Sequence, residues 1–384
     1  MKSIGFIPLR QGSKGIPGKN KRKMVGRPLF TWVLGAALHS DLDIVYVYTD
    51  DAWIINFIEK EYHYTSKIKV LKRSATSATD SASTESAMLE FAASIDYNFD
   101  VFCLLQATSP FTTAKTINDS LSLLKVGYDS TVSVVNTHRF IWDKAGNAIN
   151  YNPQQRPRRQ DFEGLLVENG AVYTCTKTVL QNKQNRLGDK VGIVHMPEES
   201  LHEIDSENDW LVVEQLLIAR QQGLKKAEKI THLVLDVDGV FTDGTITYSK
   251  DGEHTKQFDM RDGMGLEILR QFGINVMIMT SERSELVAKR MQKLQIEQVY
   301  LGVKDKYTLL THLAKQQGFS LNNVAYVGDD VNDLANICSV GWSLAPSNAM
   351  REVTNQADII LPKPSGGGAI RSACQFIKQY NKRF

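Results

Sequence analysis

The run at 232–244, HLVLDVDGVFTDG, constrains this chain more than any other. The β-favouring residues Leu233, Val234 and Leu235 lead into Asp236 and Asp238, one residue apart, and then into Gly239. A strand that ends this way delivers both carboxylates onto a turn at its carboxyl edge, where parallel sheets gather ligands. One carboxylate there can attack phosphorus while the other moves a proton to and from the departing oxygen. The run starts past the middle of a 384-residue chain, behind a separate glycine- and lysine-rich loop near the N-terminus. That layout points to two chemistries on one chain.

Length alone makes two domains the default, because single cores stop growing below this size. A hydrophobic fraction of 42% and a charged fraction of 23% are those of ordinary globular proteins. A net charge of +2 gives no global reason to expect nucleic acid or membrane as partner. The four cysteines are widely spaced, which fits reduced thiols and predicts a cytoplasmic protein. The N-terminus opens on a strand-like run without a secretory apolar region, and no apolar stretch reaches the length of a membrane span.

Strand-like runs at 3–8, 44–49, 101–106, 130–135, 171–176 and 191–196 alternate with helical patterns such as 29–39 and 83–94. This alternation predicts an α/β domain with a mainly parallel sheet. A long helix at 206–222 and a polar stretch at 223–229 follow, and then the alternation restarts. The boundaries expected are therefore 1–222, a linker at 223–229, and 230–384.

In the second half, acids, hydroxyls and a lysine appear at successive strand ends. Asp236 and Asp238 come first, then Thr280 and Ser281, then Lys306 at a helix start, then Asp329, Asp330 and Asp333. Phosphate monoester hydrolysis asks for this set: a nucleophile, an acid/base, groups to hold the equatorial oxygens, and carboxylates for a divalent cation. The order DVDG, TS, K, GDDVND resembles the haloacid dehalogenase superfamily. With FDMRDGMG at 258–265 and the glycine tail at 365–368, it resembles, within that superfamily, the 3-deoxy-octulosonate 8-phosphate phosphatases. The resemblance implies a capless (C0) Rossmannoid domain with Asp236 as nucleophile and Asp238 as acid/base. Thr280, Ser281 and Lys306 would hold phosphate and Arg261 would contact substrate. Mg²⁺ would sit on Asp236, Asp329 and the backbone carbonyl of Asp238, with Asp333 orienting Lys306 or metal waters. It also implies a homotetramer, with a hairpin at 245–258 as the oligomerising element.

The N-terminal loop, IPLRQGSKGIPGKN at 7–20, combines three glycines with Arg10, Lys14 and Lys19, so backbone N–H groups and cations can approach a triphosphate. It is not a Walker A loop, because Pro17 stands where a glycine belongs and Asn20 replaces the hydroxyl residue. Together with Arg73, the TDSAS run at 79–83, LLQATSP at 104–110, RRQD at 158–161 and VENGA at 167–171, the loop resembles the N-acylneuraminate cytidylyltransferase family. The resemblance covers about residues 2–222 and implies a nucleotidyltransferase domain with a Rossmann-like mixed sheet. Arg10, Gly12, Ser13, Lys14, Lys19 and Asn20 would bind CTP phosphates, with Lys19 stabilising the departing pyrophosphate. Arg73 and Ser83 would lie near the cytidine, and Gln106, Arg159 and Gln160 would contact the sugar acid.

The family's paired acids before the last helix appear here as Glu203 and Asp205. Either can ligate Mg²⁺, but Asp205 or Ser206 can equally N-cap the helix, with Asp209 completing a capping box. The combined expectation is a bifunctional enzyme. One domain would transfer CMP from CTP to a nine-carbon 2-keto-3-deoxy sugar acid, N-acylneuraminate or its deaminated analogue KDN. The other would hydrolyse the 9-phosphate of that acid. Two alternatives stay open: a phosphatase-like domain that only oligomerises, and the same two activities on 3-deoxy-octulosonate.

Overall fold

The computed structural model describes every residue except Ser13, Lys14, Asp80, Ser81 and Asp251. Contacts divide the chain into two compact units, one of Met1–Arg22 with Pro28–Val213 and one of Lys23–Arg27 with Glu214–Phe384.

The strands of the N-terminal half are β1 (Ser3–Leu9), β2 (Lys23–Met24), β3 (Arg27–Pro28), β4 (Ile44–Thr49), β5 (Ile68–Lys72), β6 (Val101–Leu105), β7 (Ser130–Thr137), β8 (Leu165–Thr176) and β9 (Val191–His195). Among the described residues seven of them form one sheet in the order β5-β4-β1-β6-β8-β7-β9. The pairs β4–β5, β1–β4, β1–β6 and β7–β9 are parallel, and β8 runs antiparallel to both its neighbours. The sheet is mixed for a local reason. Between β7 and β8 the chain makes a small antiparallel bridge, Trp142 to Ala148, and two 3₁₀ turns, Pro153–Gln155 and Arg159–Asp161, so no crossover helix carries it back for a parallel strand. Both faces are covered, which explains why β1 is apolar from Ile4 to Leu9. Ile4 and Phe6 pack in one layer with Met88 and Phe91, the Phe6 and Phe91 rings 4.7 Å apart. Ile7 and Leu9 pack in the other with Phe30, Val33 and Leu34.

The second unit carries β10 (His232–Leu235), a hairpin of β11 (Thr247–Ser249) and β12 (Gly252–Thr255), then β13 (Asn275–Thr280), β14 (Gln298–Leu301), β15 (Val324–Val327), β16 (Trp342–Ala345) and β17 (Ile359–Ile360). Its six-stranded sheet runs β14-β13-β10-β15-β16-β17, with every pair parallel. Only the hairpin separates β10 from its following helix, Met260–Gln271, so among the described residues no cap domain is inserted there. The helix Glu207–Leu224 ends where the polar stretch begins, and that stretch is tied down: Lys225 pairs with Asp358 at 2.6 Å and the Lys226 N–H donates to Asn322. No described helix is long and apolar enough to cross a membrane. All four cysteines are unpaired and buried.

Candidate active sites

In the first sheet the chain leaves β1 toward β4 on one side and places β6 on the other, so a crevice opens at the carboxyl ends of β1 and β6. A cleft of about 310 Å³ lies there, lined by Arg10, Gly12, Lys19, Asn20, Arg73, Ser83 and Gln106, with Thr79, Ala82, Thr84 and Thr108 among its further walls. The loop after β1 is held by its own polar contacts. The Gln11 N–H donates to Asp50 at 2.8 Å, and Lys21 pairs at 2.7 Å with Asp51, whose other oxygen N-caps the helix Ala52–Glu61. Gly15 has to be glycine, since a Cβ there would lie 2.2 Å from the Asp205 carbonyl oxygen. Ser83 N-caps the helix Thr84–Ser94, so a positive helix end joins the cationic wall. Buried Arg73 donates to the carbonyl and the hydroxyl of Ser77. Ser13 and Lys14 lie outside the described residues.

A second cavity of about 190 Å³ shares Lys19, Gln106 and Thr108 and adds Ser109, Asn169, Gly170, Arg186, His202, Glu203 and Asp205. Lys19 donates to the Ile204 carbonyl and stands 3.4 Å from the Asp205 carboxylate. Capping of the helix that follows falls to other residues. Asp209 accepts from the Ser206 N–H at 2.8 Å and from that of Asp205 at 3.1 Å, while the Ser206 hydroxyl accepts from the Asp209 N–H at 3.2 Å. The Asp205 carboxylate is therefore spared for the cavity. Arg159 and Gln160 are not brought there. They sit exposed on a short 3₁₀ turn in the excursion between β7 and β8, and Arg159 faces Glu198 at 3.9 Å. Arg186 lines the cavity instead, between Glu85 at 2.5 Å and the face of Tyr173. Nothing in its sequence context marks it.

The second sheet repeats the arrangement with β10 between β13 and β15, and Asp236 and Asp329 follow the two central strands. Lys306, the first residue of the helix Lys306–Gln317, is fully buried and reaches Asp236 at 2.6 Å and Asp333 at 2.7 Å. Asp333 also accepts from the Tyr326 hydroxyl at 2.6 Å and from the Asp329 N–H at 3.1 Å. Gly239 has φ +84°, and a Cβ there would lie 1.9 Å from an Asp329 oxygen, so only glycine lets the two loops close. Thr280 is buried at the end of β13, and the Ser281 hydroxyl donates to Val303 and accepts from Asn332. Arg261 turns outward onto Asp259 and does not join the cluster.

Three carboxylates lie together with one ammonium, and burial raises two of them, Asp329 and Asp236. Burial, then the charges of Asp333 and Asp236, push the Asp329 carboxyl up to about 8. Burial raises Asp236 as well, against the pull of Lys306. Burial works against the Lys306 ammonium, but Asp236 and Asp333 hold it charged and raise it. Oxygens of Asp236, Asp329 and Asp333 lie within 4.8 Å of one another, and one buried oxygen of Asp329 has no hydrogen-bond partner among the described residues. Asp333 accepts from Lys306, Tyr326 and a backbone N–H, and Asp236 from Lys306 and the Val237 N–H, so the unpartnered Asp329 oxygen, with Asp236 beside it, could hold a cation. A hard divalent cation fits this donor set. The Asp238 side chain stays outside it, turned to Lys256 at 2.5 Å. Motif spacing does not reveal Lys256.

Residues 4–241 match the family model described as Cytidylyltransferase, more than half of the chain. The chain belongs to the cytidylyltransferase family. Two fish relatives extend over nearly all of it. The N-acylneuraminate cytidylyltransferase of Oncorhynchus mykiss is 33% identical over 98% of this chain and 89% of its own length. N-acylneuraminate cytidylyltransferase A of Danio rerio is 32% identical over the same shares. Residues 281–371 of this cytidylyltransferase also match the haloacid dehalogenase-like hydrolase model. The 3-deoxy-D-manno-octulosonate 8-phosphate phosphatase KdsC of Haemophilus influenzae is 36% identical over 40% of this chain and 86% of its own length. The chain is thus an enzyme of the cytidylyltransferase family with a haloacid dehalogenase-like region behind it.

Proposed function

We propose that this cytidylyltransferase performs two consecutive steps on one nine-carbon 2-keto-3-deoxy sugar acid, with residues 230–384 removing the 9-phosphate and residues 1–222 activating the free acid with CTP. The observation that carries the reading is that each unit gathers a chemically complete set of groups at its own sheet crevice.

In the synthetase step the anomeric hydroxyl attacks the α-phosphorus of CTP and pyrophosphate leaves. Such a transfer asks for positioning and charge neutralisation more than covalent help. Arg10, Gly12, Asn20 and, in the same loop, Ser13 and Lys14 bind the phosphates, and Lys19 takes up charge on the departing pyrophosphate. Arg73 and Ser83 face the cytidine, while Gln106 faces the sugar acid. In the phosphatase step an Asp236 oxygen attacks phosphorus to form an aspartyl-phosphate, and the sugar oxygen leaves with a proton from Asp238. Asp238 then takes a proton from the water that hydrolyses the acyl-phosphate. Thr280, Ser281 and Lys306 hold the equatorial oxygens throughout. Asp205 with Glu203, and Asp236 with Asp329 and the Asp238 carbonyl, would hold Mg²⁺. When bound, Mg²⁺ neutralises phosphate charge facing these carboxylates.

The test is incubation of the full chain with Mg²⁺, CTP and the sugar acid 9-phosphate, scoring inorganic phosphate, pyrophosphate and CMP-sugar. All three products are expected. Absence of inorganic phosphate would reject the two-step reading in favour of a second unit that only assembles the protein. A second reading has its own support in the 36% identity to an octulosonate 8-phosphate phosphatase: both substrates would be eight-carbon acids. Competition between N-acetylneuraminate, KDN and 3-deoxy-octulosonate separates the two. The proposal includes a cytoplasmic homotetramer formed through the second unit, which sedimentation of the purified chain tests.

A further inference from the structure

We propose that Lys256 is a positioning residue for the phosphatase step, fixing the Asp238 carboxyl so that one of its oxygens faces the departing sugar oxygen. The inference rests on the phosphatase reading of the second unit. Lys256 directly follows β12, outside every motif that the chemistry uses, yet its side chain has no exposed surface. A buried ammonium is costly unless it is paired, and this one is paired twice. Its Nζ lies 2.5 Å from Oδ1 of Asp238 and 3.1 Å from Oε1 of Glu253. Glu253 in turn accepts a hydrogen bond from the hydroxyl of Ser284, which N-caps the helix Glu285–Lys293. A continuous polar chain thus runs from Asp238 through the hairpin to the loop that follows Thr280 and Ser281.

The two oxygens of Asp238 are unequal. Oδ1 is engaged by Lys256 and lies 3.5 Å from the Thr242 hydroxyl, while Oδ2 is buried with no hydrogen-bond partner among the described residues. Oδ2 is therefore the oxygen left to carry the proton. As the bond between Asp236 and phosphorus forms, the bond between phosphorus and the sugar oxygen breaks. The electron pair goes to the sugar oxygen, and that oxygen takes the proton from Oδ2. With Lys256 clamped on Oδ1, the carboxyl cannot turn away as the proton leaves.

Support of the hairpin alone would make Lys256 equally necessary for every substrate. Positioning of Asp238 adds a loss seen only when the leaving oxygen needs a proton, on top of the smaller loss that the water-activating step imposes on every substrate. The experiment compares kcat and KM of the full-length wild type, Lys256→Met and Lys256→Arg on the sugar acid 9-phosphate and on p-nitrophenyl phosphate, whose phenolate leaves unprotonated. Lys256→Met is expected to lower kcat on the sugar phosphate about 100-fold, with KM within about threefold, and to lower kcat on p-nitrophenyl phosphate less than about fivefold. Lys256→Arg is expected to recover most of the sugar-phosphate rate. If Lys256→Met does not fold, Lys256→Gln, which keeps a polar end without the charge, decides by a larger loss on the sugar phosphate than on p-nitrophenyl phosphate. Equal losses on the two substrates, or a raised KM at unchanged kcat, overturn the proposal. A wild-type chain that hydrolyses neither substrate overturns the phosphatase reading itself.

Discussion

The two sites occupy the same topological position and solve opposite charge problems. In the first sheet, Arg10, Lys19 and Arg73 ring the cleft beside β1 and β6 before any anion arrives, and the acids Glu203 and Asp205 stand apart in the adjoining cavity. In the second, Asp236, Asp329 and Asp333 lie together and a single lysine pairs with two of them, so acids rather than cations dominate the crevice. Exposure follows the same division: the Asp205 side chain is 73% exposed and that of Asp236 is 5%. A parallel crevice supplies a place for ligands, and the residues on its loops decide which chemistry happens there.

Asp236→Asn should break the comparison most sharply. It removes the nucleophile, so phosphate release should fall by about 10⁴-fold or more while cytidylyl transfer is unchanged, as read by separate phosphate and pyrophosphate assays. Asp205→Ala is the mirror experiment, abolishing cytidylyl transfer and sparing phosphatase activity; retained synthesis would remove Asp205 from the metal site. Lys19→Met should cost about 100-fold in kcat for CMP transfer, the scale for losing one charged donor at a leaving group, again with the phosphatase rate intact.

The smallest expected effect concerns stability. Asp262 in the helix Met260–Gln271 is buried and accepts from the Arg371 N–H at 2.7 Å, and burial pushes its carboxyl from 3.8 up to about 6. The unfolded chain loses this proton at lower pH than the folded one. The group's contribution is therefore full below pH 4, declines as pH rises toward 6, and is level above. The decline amounts to about 3 kcal/mol, and denaturant melts of Asp262→Asn against wild type should lack it.

Much of this was legible in the sequence because the sites sit where strands end. The apolar runs that became β1, β6, β10, β13 and β15 each finish at a residue singled out by type, so Gln106, Asp236, Thr280 and Asp329 could be placed without a structure. The capping signal around Ser206 was legible too, though only in the folded chain does Asp209 take the cap and spare Asp205. What escaped depends on folding at a distance. Strand β8 extends back to Leu165 through Glu168, Asn169 and Gly170, a polar stretch with no β pattern of its own, because it pairs with β7 along that length. Arg186 and Lys256 reach their sites from segments without motif or periodicity, and their partners Glu85 and Asp238 are 101 and 18 residues away. Arg159 and Gln160 show the converse: a suggestive run that the excursion between β7 and β8 holds in solvent.

The central claim is that one chain carries two sites acting in order, and a ³¹P NMR time course starting from the sugar acid 9-phosphate, CTP and Mg²⁺ tests it most directly. For the wild type, inorganic phosphate should appear first, followed by pyrophosphate and CMP-sugar in equal amounts. Asp236→Asn should yield neither phosphate nor CMP-sugar from the phosphate ester, yet form CMP-sugar normally from the free acid. Pyrophosphate release from the ester by Asp236→Asn, or a wild type that leaves the ester intact, would contradict the account.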